Sequence, residues 1–92
     1  MGGGLQKYGA RRRGLSDVYA DILNAIDDGL CRTKVVHRAN LSYDRCNRHM
    51  NNLAKGGLVK VRTNSPSNWA VTEKGREFLK KHRELGRLIL PR

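Results

Sequence analysis

Four residues near the front of the chain, Tyr19, Ile22, Leu23 and Ile26, fall at i, i+3, i+4 and i+7, which puts them on one face of a helix. Ser16 is the expected cap of that helix, Asp17 suits the positive end of its dipole, and Gly29 supplies a left-handed stop. Its acids are expected to face away from the segment that follows. A shorter second helix is expected from Thr33, with Val35, Val36 and Ala39 as apolar contacts and Asn40 as its stop. After a brief turn Ser42 caps a third helix, in which Cys46, Met50 and Leu53 share the buried side. Asp44, Asn47, Arg48, Asn51 and Lys55 then lie on or near the opposite side, a face that is polar, basic and rich in amides. Gly56 and Gly57 end it.

From Leu58 the period shortens. LVKVR alternates apolar and polar residues and reads as a strand over 58–62, while WAVT reads as the returning strand over 69–72. The pair predicts a hairpin whose loop of about six residues turns around Pro66 and its Asn and Ser neighbours. Thr72 caps a last helix beginning at Glu73, with Pro91 beyond its end. Phe78, Leu79, His82, Leu85, Leu88 and Ile89 form a stripe along it, spaced mostly three and four apart. Such a helix is roughly 27 Å long at 1.5 Å per residue, enough to project beyond a three-helix core. Its stripe needs a cover, either its own domain or a second copy of the chain. The second copy is the expectation, because short helix seams favour symmetric partners.

A chain of 92 residues supports one small domain, and 38% hydrophobic content with few aromatics makes the core one of Leu, Ile, Val and Ala. Charge changes the picture more. Nineteen Lys and Arg against eight Asp and Glu leave a net +11, a field that attracts polyanions. Between Leu30 and Val71 only Asp44 opposes Arg32, Lys34, Arg38, Arg45, Arg48, Lys55, Lys60 and Arg62, so one working face is basic. The Gly-rich start with Arg11, Arg12 and Arg13 reads as a mobile basic arm over 1–14.

Enzymatic chemistry finds little support. His37, His49 and His82 are scattered over three helices, and the sequence has no Walker loop, dinucleotide fingerprint or metal constellation, so no cofactor or small-molecule ligand is expected. Cys31 and Cys46 have no ligand spacing and read as reduced thiols. No run approaches the ~18 apolar residues of a membrane span and no signal core opens the chain, so an intracellular protein is expected.

The order helix, helix, helix, strand, strand, helix resembles a winged helix-turn-helix domain, an α+β and mostly helical fold, over most of residues 15–90. The likeness is carried by Met50 through Arg62 and by Trp69-Ala70-Val71-Thr72-Glu73-Lys74-Gly75, which looks like the xxLTxKG start of the last helix in many such proteins. The chain is similar to small archaeal winged-helix regulators and chromatin-associated proteins whose C-terminal helix forms an antiparallel coiled-coil dimer. The resemblance implies a DNA-binding domain over 15–72 and a dimerisation helix over 73–92. A narrower likeness to readers of Z-form nucleic acid rests on Asn47, Pro66 and Trp69, but Asn51 stands where a Tyr is expected, and Trp69 is read as a core strand residue.

On the winged-helix resemblance the third helix enters the major groove, with Ser42, Tyr43, Arg45, Asn47, Arg48 and Asn51 as its DNA-facing residues. Arg forks onto guanine and Asn onto adenine, while Ser42 and Tyr43 can hold a phosphate. Tyr43 has a second reading, with its ring packed beside the second helix. Arg62, Asn64, Ser65, Ser67 and Asn68 make the wing, unless that loop is a solvated turn. Lys34, Arg38 and the Arg11 to Arg13 arm would sit against phosphates. Phe78, Leu79, His82, Leu85, Leu88 and Ile89 would make a homodimer seam. The expected function is a nucleoid-associated, cytoplasmic regulator of transcription that binds double-stranded DNA at specific sequences. The alternatives are an architectural chromatin protein with little sequence preference, and a domain whose third helix contacts protein.

Overall fold

The computed structural model describes residues 14–89, apart from the side chain of Ile89. Helices α1 (Leu15–Asp27), α2 (Arg32–Ala39) and α3 (Tyr43–Lys55) are followed by strands β1 (Val59–Val61) and β2 (Trp69–Val71) and by helix α4 (Glu73–Ile89). The strands pair antiparallel with Val59 opposite Val71 and Val61 opposite Trp69, so the fold is α+β. The basic arm with Arg11, Arg12 and Arg13 lies outside the described residues.

The apolar periodicities become one core. Ile22 and Leu23 of α1, Val35 of α2, and Cys46 and Leu53 of α3 are almost completely buried, and Met50, Val59, Val71 and Leu79 close the cluster. Burying a Val, Leu or Ile side chain contributes about 1.5–3 kcal/mol, so loss of a few of these would unfold so small a domain.

Helix boundaries follow from backbone chemistry. α1 is capped by Gly14 and not by Ser16, because Asp17 reaches back to accept the Gly14 amide at 3.1 Å and so closes the turn two residues earlier. Asn40 ends α2 with φ 57°, a left-handed conformation that Asn tolerates. Ser42 caps α3 as expected, its Oγ accepting from the Arg45 amide at 3.2 Å.

The start of α4 is bolted to the turn that ends α3. Thr72 Oγ1 donates to the Gly57 carbonyl at 2.6 Å, the Thr72 amide donates to Leu58 O at 3.0 Å, and Lys74 Nζ donates to Gly56 O at 2.7 Å. Three successive carbonyls are thereby satisfied from one short segment, and Thr72 Oγ1 also accepts from the Gly75 amide at 3.1 Å, capping α4. Gly75 is buried, and a Cβ there would press into the Leu58 carbonyl and lie 2.7 Å from Val71 Cγ1. No side chain larger than a hydrogen fits.

α4 divides into two parts. Leu79 is 7% exposed and belongs to the core of its own domain, Phe78 packs against that core, and His82 Nε2 donates to Asp17 Oδ1 at 2.8 Å. The expected seam is corrected accordingly. Leu79 is taken up inside the domain, Phe78 packs against that core, and His82 bonds α1 because α4 packs back against it. Leu85 and Leu88, 55% and 83% exposed, carry the stripe beyond that contact.

Candidate nucleic-acid interface

α3 presents Asp44, Arg45, Asn47, Arg48, Asn51, Asn52 and Lys55 to solvent, because Cys46, Met50 and Leu53 turn inward at helical spacing. Its two flanks differ. On one, Tyr43 Oη shares a 2.7 Å hydrogen bond with Thr33 Oγ1, tying the N-termini of α2 and α3 together while the ring stays half exposed. Asn47 lies on the same flank, in a crevice of about 10 Å³ with Arg32, Ser67 and Trp69. That volume is about one water. Trp69 Nε1 is buried there without a hydrogen-bond partner.

On the other flank His49 stands edge-on to Tyr19 of α1, with ring centroids 5.4 Å apart and planes at 79°. Arg45, Arg48, His49 and Asn52 line a pocket of about 190 Å³ beside it. Burial lowers the proton affinity of His49 from its ordinary value, and the nearby Arg45 and Arg48 lower it further. A proton on its buried Nδ1 would also add a donor with nothing to receive it. His49 is therefore held toward its neutral form beside two cations.

The hairpin loop runs from Arg62 to Asn68 and is internally bonded. The Arg62 amide donates to Asn68 O at 3.0 Å, Ser65 Oγ lies 2.9 Å from Trp69 O, and Arg62 Nε donates to Asn64 Oδ1 at 3.4 Å. Asn68 takes a left-handed φ of 68° to close the turn. Ser67 is corrected as a contact residue. It is 3% exposed, and its Oγ accepts from the Trp69 amide at 3.3 Å, so it faces the crevice and not the surroundings. Arg62, Asn64 and Asn68 remain exposed.

Other basic groups sort by whether an acid meets them. Arg38 pairs with Asp28 at 3.4 Å and Arg76 with Asp27 at 3.0 Å. The acids at the end of α1 therefore do not merely turn away; they engage α2 and α4, and Arg38 is committed to Asp28 where an open phosphate contact had been expected. Lys34 stays exposed. No salt bridge joins Arg45, Arg48 or Arg62 to an acid among the described residues.

A three-helix core with a polar, cationic third helix, a two-stranded hairpin and a following helix is matched by a family model described as winged helix-turn-helix, over residues 12–90. The chain belongs to the winged helix-turn-helix family. That family is one of DNA-binding domains, and α3 and the hairpin stand in the chain order of its third helix and its wing. No curated protein matches the winged-helix chain significantly. Among its described residues no helix is long and apolar enough to cross a membrane, and no group of three or more His, Cys, Asp or Glu could hold a metal ion. Cys31 and Cys46 are both free, and burial raises the affinity of the Cys46 thiol for its proton, with Arg32 offsetting part of that.

The residues missed at the sequence level are Asn52 and His49 on the α1-facing flank and Arg32 in the crevice. Arg45, Arg48, His49 and Asn52 do follow i, i+3, i+4 and i+7, the signal that would have grouped them.

Proposed function

We propose that the protein binds double-stranded DNA at specific sequences as a transcription regulator, with α3 in the major groove and the wing against the flanking backbone. The observation that carries this reading is the exposed face of α3. Arg45, Asn47, Arg48 and Asn51 stand there without acidic partners, and they are the side-chain types that read guanine and adenine edges. Leu85 and Leu88, exposed beyond the domain's own core, favour pairing through α4 into a homodimer that acts at the nucleoid. Sedimentation of the intact chain and of Leu85→Asp tests that pairing: a monomer at tens of micromolar in both removes it.

An architectural role, coating DNA with little sequence preference, is the second reading, favoured by the net charge of +11. Both imply steep salt dependence, but a regulator loses about 1–3 kcal/mol per mismatched base pair in its site. Selection of bound duplexes from a random pool at physiological salt separates them. An enriched palindrome supports the dimeric regulator, whereas overlaid binding curves on unrelated duplexes support the architectural protein.

A further inference from the structure

We infer that the pocket lined by Arg45, Arg48, His49 and Asn52 seats one backbone phosphate of the duplex, a role that rests on the proposed DNA binding and divides α3 into a gripping flank and a reading face. The pocket lies to the side of the helix. Its position is fixed by His49, whose ring is held edge-on against Tyr19, so the cavity opens beside α3 on the flank turned to α1. The opposite flank, with Tyr43 and Asn47, is joined to α2 and the wing.

Shape selects the group that enters. A phosphate projects from the duplex and fits a concave seat, whereas base edges lie on the groove floor and are met by side chains that project outward. The volume of about 190 Å³ is many times the roughly 10–15 Å³ that one water needs by the same measure, so a tetrahedral anion fits with room for solvent. Charge selects in the same direction. Two guanidinium groups without acidic partners and a carboxamide that can donate line the space, and the imidazole that completes the lining brings no negative charge. Burial is the main cause of the lowered proton affinity of His49, and the two close cations add to it. Base reading then falls to Asn47 and Asn51, while Arg45, Arg48 and Asn52 grip the phosphate and hold register.

The test measures binding of the full chain to one selected duplex and to two unrelated ones as salt is varied, for the wild type, Arg45→Ala, Asn52→Ala and Asn51→Ala. Arg45→Ala should weaken all three duplexes by a similar factor of roughly ten and lower the salt slope by about one. Asn52→Ala should weaken them evenly by a smaller factor, and Asn51→Ala should act on the selected duplex alone. A scan of single neutral methylphosphonates along the backbone should find one position that costs the wild type the same factor and leaves Arg45→Ala unaffected. Arg45 is exposed and caps nothing with its side chain, so unchanged circular dichroism is expected. The inference is overturned if Arg45→Ala changes base preference, keeps the wild-type slope, or remains sensitive to every methylphosphonate. If the wild type binds no duplex, the DNA reading itself fails and takes the seat with it; normal wild-type binding with an indifferent Arg45→Ala sinks the seat alone.

Discussion

The two sides of this small domain treat their positive charges differently. Around α1 and α4, four basic groups are met by acids, Arg38 by Asp28, Arg76 by Asp27, Lys81 by Glu77 and His82 by Asp17, while Lys80, Arg83 and Arg87 of α4 form no salt bridge among the described residues. Along α3 and the wing, Arg45, Arg48 and Arg62 are met by none among the described residues. A surface built only for solubility would mix its signs throughout. This difference leaves one side partly neutralised and the other open to a partner that brings negative charge in bulk.

The comparison breaks most completely if the joint between the sides is spoiled. Gly75→Val forces a side chain into the Leu58 carbonyl and Val71, so a loss of about 3 kcal/mol or more is expected, and urea unfolding should show a lowered midpoint with DNA binding lost in step. Next in size is the open side itself. Arg45→Ala combined with Arg48→Ala should cost about 2–4 kcal/mol of DNA binding at moderate salt, read by fluorescence anisotropy, while the melting temperature stays within a degree or two. Equal losses of stability and affinity would show that the open side also holds the fold together.

The closed side predicts the reverse pattern at smaller scale. Arg76→Ala removes an exposed pair with Asp27 and should cost at most about 1 kcal/mol of stability, with no change in base preference. The smallest effect concerns His49, which binds its proton more weakly folded than unfolded because it is buried beside Arg45 and Arg48. Its contribution to stability is complete above its ordinary value of 6.5 and is lost as pH falls toward the lower folded-state value. Chemical denaturation at pH 7.5 and 5.5 should therefore show a drop in stability that is reduced in His49→Gln.

Much of this division was legible in the residues. The spacing of Cys46, Met50 and Leu53 turned α3 with its amides and arginines outward, and Thr72 announced the start of α4 through its hydroxyl. What escaped had physical causes. Gly14 has no side chain to advertise a cap, and only the reach of Asp17 back to its amide reveals it. Ser67 looks like any polar loop residue, yet it turns inward to bond the Trp69 backbone. Leu79 and Leu85 belong to one stripe by spacing, but the length over which α1 covers α4 decides which of them a partner could reach. The pocket at His49 depends on Tyr19, thirty positions earlier, a contact that no local pattern encodes.

The bonds from Thr72 and Lys74 to the Gly56, Gly57 and Leu58 carbonyls have a consequence for the duplex and not only for the protein. They hold the base of the wing against the end of α3 like the fixed jaws of a calliper. On the proposed reading, a groove of the wrong width cannot be met by spreading those jaws, so the DNA must bend or narrow to fit. Pyrimidine–purine steps make that adjustment cheaply and stiff A-tracts do not. Part of the preference of such a protein would then be set by the suppleness of base pairs it never touches.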